Sequence, residues 1–123
     1  LLGLSFSIYS NDRKMKKDII LEISAILEKR KDSSADYSYT KSLFDKGLAE
    51  ILSKVSEESN ELLEAAESDD ENKKKKLIHE TADLWFHTMV LLSYEGINAE
   101  EVLNELEKRF NTSGLDEKAS RKD

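Results

Sequence analysis

No proline interrupts this chain, and glycine occurs only four times in 123 residues. Proline and glycine supply most of the tight turns that a β fold needs, so their scarcity favours long, uninterrupted helices. The apolar pattern agrees. Ile19, Ile20, Ile23, Ile26 and Leu27 recur at helical spacing, predicting a first helix from Met15 to Lys31 that ends on basic residues suited to a helix C-terminus. Asp32 to Ser38 is polar and turn-like, and a short helical piece from Thr40 to Lys46 leads to Gly47 as a C-cap. A third helix is expected over Leu48 to Glu67, with Ile51, Leu52, Val55, Leu62, Leu63 and Ala66 as its apolar stripe. Ser68 to Asn72 breaks it. A fourth helix then runs from Lys73 to about Glu95 and stops at Gly96, and Asn98 with Glu101 forms a capping box opening a fifth, Ala99 to Phe110. The expected fold is all-α, a compact bundle of about five helices in one domain over residues 15–123. Residues 1–14 read as an extension before Met15, since the weakly apolar start lacks a basic n-region and is broken by serines.

Apolar residues are 38% of the chain and charged residues 37%. That is a lean supply for a single core, and Leu103, Leu106 and Phe110 are left over on the fifth helix. Completion by a second copy, a homodimer, is expected. The formal net charge of −7 argues against a nucleic-acid partner, which calls for a basic surface. No apolar run approaches the roughly 18 residues that span a bilayer, so no membrane partner is expected. The absence of cysteine excludes disulfides, zinc–thiolate sites and a thiol nucleophile.

The fourth helix carries an anomaly. From Ala82 to Leu92 it is apolar almost all the way round, as in a buried helix. Yet Glu80, Asp83 and His87 project within roughly 60° of one another. Burying a lone carboxylate costs several kcal/mol, so these acids must be paired, protonated or bound to metal. On the third helix, Glu58 falls at the edge of the apolar stripe and Glu61 beside it, with Lys54 between them in angle. Glu57, Glu64 and Glu67 turn toward solvent, as does Glu50. Antiparallel packing through a short connection would bring Glu58 and Glu61 to face Glu80 and Asp83. Four carboxylates in one cleft repel one another, and oxygen-only ligation suits Mg²⁺ or Mn²⁺. A di-iron bundle would need Glu-x-x-His pairs, and neither His79 nor His87 follows a glutamate by three. His79 reads as a surface residue. His87 reads as a hydrogen-bonding partner four residues after Asp83.

Glu57-Glu58-x-x-Glu61 followed by Glu80-x-x-Asp83 resembles the signature of the all-α NTP pyrophosphatase (MazG-like) superfamily. Within it, the block Ser38-Tyr39-Thr40, Leu43, Lys46-Gly47, Ile51, Lys54-Val55 and Glu57-Glu58 is similar to the central part of phosphoribosyl-ATP pyrophosphatases. So are ETADLWFHTMVLL and the tail from Glu105 through Lys108-Arg109-Phe110 and Thr112-Ser113-Gly114-Leu115 to Arg121. The likeness covers roughly residues 19 to 121 and departs at Ser56 and Asn111, where glycine is usual.

The resemblance implies hydrolysis of phosphoribosyl-ATP to phosphoribosyl-AMP and pyrophosphate, the second step of histidine biosynthesis, by a cytoplasmic Mg²⁺-dependent enzyme. Glu58, Glu61, Glu80 and Asp83 would hold Mg²⁺ or Mn²⁺, the same four that the helical projection selects. Glu57 is the candidate base for the attacking water. Lys54, Lys46 and Arg30 are candidates for phosphate contact, Tyr39 and Thr40 for the substrate pocket, and Arg109, Lys118 and Arg121 for contacts from the tail. Two other readings stay open: a house-cleaning pyrophosphohydrolase acting on free (d)NTPs, and a non-catalytic helical interaction protein. The Ser38-Tyr39-Thr40 block and the tail argue against the first, and the acids of the fourth helix against the second.

Overall fold

A computed structural model describes residues 19–32 and 38–111. Helix α1 covers residues 19–31. It is followed by α2 (Tyr39–Lys46), α3 (Leu48–Glu67), α4 (Lys73–Tyr94) and α5 (Ala99–Phe110). No strand occurs among the described residues, and none of their helices is long and apolar enough to cross a membrane. The expected extension over 1–14 and the expected helix start at Met15 lie outside the described residues.

Each boundary has a local cause. Ser38 caps α2 by accepting the backbone N–H of Lys41 at 3.1 Å. Gly47 ends α2 and begins α3 at φ 93°, ψ −171°, a conformation that only glycine adopts without strain. At the end of α4, Gly96 N–H reaches the Ser93 carbonyl and Ile97 N–H the Leu92 carbonyl, the two bonds of a Schellman motif. Asn98 and Glu101 then form the expected capping box. The buried N–H of Ala99 is satisfied by Ser24 Oγ of α1 at 3.2 Å, tying the first helix to the last.

All five helices supply the core: Leu27 from α1, Leu43 from α2, Ile51 from α3, Met89 and Val90 from α4 and Ala99 from α5. Complete burial of a side chain like Leu27, Leu43, Ile51 or Val90 contributes about 1.5–3 kcal/mol. Polar bonds then fix where α1 sits. Ser93 Oγ donates to Glu28 Oε1 at 2.9 Å, and Lys31 Nζ reaches the Ser93 carbonyl. A cation at the C-terminal end of α4 is favourable to that helix's dipole.

The short connection between α3 and α4 folds them back on each other as the principal packed pair. Two expectations about this pair are corrected. The buried line of α3 is Ile51, Glu58 and Ala65, so Glu58 lies at the middle of the buried face and not at its edge. Leu52 and Leu63 are exposed, as is Ala66. Apolarity alone misplaces the face by roughly 60°, because it assigns every charge to solvent, whereas α4 offers this carboxylate a polar seam. Likewise α4 is not buried all round: Ile78 and Trp85 are more than half exposed. Within one chain, no described element covers that side.

Candidate active site

The turn at residues 68–72 decides which side chains meet. Glu61 on α3 and Glu80 on α4 lie almost equally far from it, and so do Glu58 and Asp83, one helical turn deeper. Carboxylate oxygens of Glu58, Glu61 and Glu80 accordingly come within 4.8 Å of one another, and His79, Glu80 and Asp83 form a second such group that shares Glu80. Thus the four acids singled out from the sequence form one chain of neighbours across the α3–α4 seam.

Their electrostatics are those of anions pressed together. Burial pushes the Glu58 carboxyl up to about 7, reinforced by Glu61, Asp83 and Glu80. Loss of solvent also raises Glu80, with the neighbouring Glu61 carboxylate adding to it. Each of the two leaves one buried oxygen, Glu58 Oε2 and Glu80 Oε2, without a hydrogen-bond partner. Orphaned buried oxygens are costly. A hard divalent cation satisfies such oxygens, and Asp and Glu are the donors that Mg²⁺ and Mn²⁺ prefer. The donor set therefore fits the metal it was expected to hold.

His79 extends the cluster beyond the expected four. Its side chain is exposed, as expected, but its Nε2 stands 3.2 Å from Asp83 Oδ2. The signal was available in the sequence: residues four apart on a helix are neighbours, and His79 precedes Asp83 by four. His87 is buried, with Nε2 2.8 Å from the Tyr39 hydroxyl and Nδ1 2.8 Å from the main-chain carbonyl of Asp83. Its partner is the Asp83 backbone, not the carboxylate. The link to Tyr39, forty-eight residues away, has no signature in spacing.

The remaining expected residues fall in three places. Lys54 Nζ pairs with Glu57 Oε2 at 3.2 Å on the exposed flank of α3; Glu57 is not in the group of close oxygens. Tyr39 lies within electrostatic reach of both and of Glu58. Thr40 is buried next to it in sequence, while Lys46 is exposed at the end of α2. Arg30 is half-buried near the end of α1, and Arg109 pairs with Glu105 at 3.1 Å on α5. Lys118 and Arg121 lie outside the described residues.

The family model for phosphoribosyl-ATP pyrophosphohydrolase matches residues 21–110, which include every one of these acids. This chain belongs to that family. It is 49% identical over 104 residues to the phosphoribosyl-ATP pyrophosphatase of Vesicomyosocius okutanii, covering 85% of this chain and 96% of that one. To the protein of that name from Hydrogenovibrio crunogenus it is 46% identical, covering 87% and 96%. To that from Chromobacterium violaceum it is 50% identical, covering 88% and 97%. The expectation drawn from the glutamate signature and the tail is met at the level of the family.

Proposed function

We propose that this protein hydrolyses phosphoribosyl-ATP to phosphoribosyl-AMP and pyrophosphate, as a Mg²⁺-dependent enzyme of the cytoplasm in the second step of histidine biosynthesis. The observation that carries the reading is the group formed by Glu58, Glu61 and Glu80, with two buried oxygens lacking partners, inside the region matched by the family. Glu58, Glu61, Glu80 and Asp83 are the residues that would hold Mg²⁺, or Mn²⁺ in its place. The cation, when bound, offsets the charge of the triphosphate and polarises the anhydride.

The chain's own groups divide the remaining work. Glu57 is exposed and free of the cluster, so it is the carboxylate we assign to accept the proton of the attacking water. The water's oxygen forms the new bond to phosphorus as the bridging bond to the leaving pyrophosphate breaks. Lys54, paired with Glu57, is the cation we assign to phosphate oxygens, with Lys46, Arg30 and the tail residues Arg109, Lys118 and Arg121 as further cationic contacts. Tyr39 and Thr40 shape the pocket.

We also propose a homodimer. Trp85 and Ile78 on α4, and Leu106 and Phe110 on α5, are large apolar side chains exposed in the single chain. Trp85 and Leu106 also line one groove between α4 and α5. A patch of this kind is characteristic of an interface.

The test is direct. Purified protein with Mg²⁺ is offered phosphoribosyl-ATP and a panel of dNTPs, and pyrophosphate is measured. Turnover of phosphoribosyl-ATP far above that of every dNTP is expected. Preference for a dNTP would overturn the substrate, and no release from any of them would overturn the hydrolase.

A further inference from the structure

His87 is a buried titratable side chain that the reaction outlined above does not use. Its ring is confined on several sides. Phe86 meets it edge-on at 5.3 Å between centroids and Tyr39 at 5.8 Å, with interplanar angles of 85° and 80°. Both ring nitrogens are engaged, each at 2.8 Å. The two partners settle the direction of each bond. A main-chain carbonyl only accepts, so Nδ1 carries the hydrogen that goes to Asp83. A neutral imidazole has one N–H, so Nε2 is left as an acceptor. In that neutral tautomer the Tyr39 hydroxyl donates to His87, and its single proton is spent inward.

What remains on the outer side of Tyr39 is defined by subtraction. The residue is half exposed, at 51%, and the charges of Lys54, Glu58 and Glu57 act on its phenol. Its bond to His87, and that ring's bond to the Asp83 carbonyl, join it to the backbone of one of the clustered acids. With its proton committed, the phenolic oxygen can only accept. It has nothing to give to a phosphate oxygen, which is itself an acceptor. A hydroxyl or an amino group is the matching chemistry.

We propose that His87 is a positioning residue that locks the Tyr39 hydroxyl inward, so that Tyr39 selects a hydroxyl or amino donor on the nucleoside part of the substrate and takes no part in binding its phosphates. This rests on the hydrolase reading for its substrate. The tautomer does not, and can be read without turnover.

The experiment compares Tyr39→Phe, His87→Leu, His87→Gln and the Tyr39→Phe/His87→Leu double variant with the native protein. Losing one such hydrogen bond should raise KM for phosphoribosyl-ATP roughly three- to tenfold in Tyr39→Phe and His87→Leu, with kcat within about twofold. The double variant should be no worse than either single one, because the two side chains act as one unit. His87→Gln keeps an acceptor for the phenol and should recover most of the affinity. Inhibition by inorganic pyrophosphate should be unchanged throughout. Inhibition by ATP and ITP distinguishes the donor: a Tyr39→Phe penalty with ATP alone assigns the amino group, and one with both assigns a hydroxyl. No penalty with either, or weakened pyrophosphate binding in Tyr39→Phe, overturns the proposal. ¹⁵N NMR of His87 should show the hydrogen on Nδ1; a hydrogen on Nε2 overturns it even if His87→Leu fails to fold. If the native protein does not turn over phosphoribosyl-ATP but the Nδ1–H tautomer is found, the substrate reading fails and the lock stands.

Discussion

Opposite sides of α4 invert the usual rule of burial. On one side, Glu80 and Asp83 face α3, where Glu58 is only 8% exposed. Roughly half a turn round the helix, Trp85 is 61% exposed and Ile78 exceeds it. A carboxylate inside and a tryptophan outside would each be errors in a monomer built for stability alone. Together they are the features on which the proposed metal site and the proposed dimer rest. The carboxylates of the seam crowd one another, and among the described residues no element covers the apolar face. Both features lie on the same helix, so the metal binding and self-association proposed above would act on one element without sharing a residue.

The sharpest way to break this comparison is to change the acid side. Replacing Glu80 by Gln or Asp83 by Asn should lower pyrophosphate release about a hundredfold or more, the upper end of what even outer supporting residues of a metal site cost. The metal-free melting temperature should hold or rise, because one repelling charge is gone. Activity near normal with a normal Mg²⁺ response would dissociate these acids from metal.

The apolar side should respond in a different observable. Trp85→Glu places a charge on the exposed face, so a dimer relying on it should weaken by about thirtyfold or more, as for a tryptophan hot spot. Sedimentation velocity across a concentration series reads this. An unchanged oligomer, or a native protein that is monomeric at micromolar concentration, would remove self-association from the comparison.

Proton linkage tests the seam without mutation. The Glu58 carboxyl is raised to about 7 in the fold, against an ordinary value near 4.3 when unfolded. Below the unfolded value both states are protonated and nothing is lost. As pH rises between the two values, the unfolded state sheds a proton that the folded state keeps, so metal-free stability should fall across roughly pH 4.5 to 7 and level off above it. Mg²⁺ competes with that proton, so its stabilising effect should grow over the same window. Melting curves with and without Mg²⁺ from pH 5 to 8 measure both slopes. A metal-free protein that gained stability across this range would show that the seam is not under strain.

Two smaller effects calibrate the others. Gly47→Ala should cost about 1 kcal/mol or more in chemical denaturation, because φ 93° with ψ −171° is strained for any side chain. The space there is open enough: an added Cβ meets nothing nearer than the Tyr94 hydroxyl at 3.7 Å. Glu67→Gln, on an exposed residue at the end of α3, should change stability by less than about 0.5 kcal/mol and leave turnover intact. A large effect at Glu67 would mean that the acid seam extends further along α3 than the close oxygens indicate.

Helix positions were legible because their causes are local. The missing prolines, the glycines at 47 and 96 and the Asn98–Glu101 box act within a few residues of themselves, and α2 to α5 begin and end within a residue of where these signals put them. The acids of α4 were legible for a related reason: charge on an otherwise apolar helix conflicts with burial inside a single segment. Rotation of α3 was not legible. Whether Glu58 or Leu63 faces inward depends on what α4 presents across the seam, and hydrophobic periodicity on one helix contains nothing about the other. The same holds for Tyr39 and His87, since a hydrogen bond between residues distant in the chain is made by the fold that brings them together. Amino-acid order settles local conformation through short-range sterics and capping. Which buried groups find partners, and which apolar faces stay uncovered, is settled by packing, because those energies belong to pairs of surfaces and not to either segment alone.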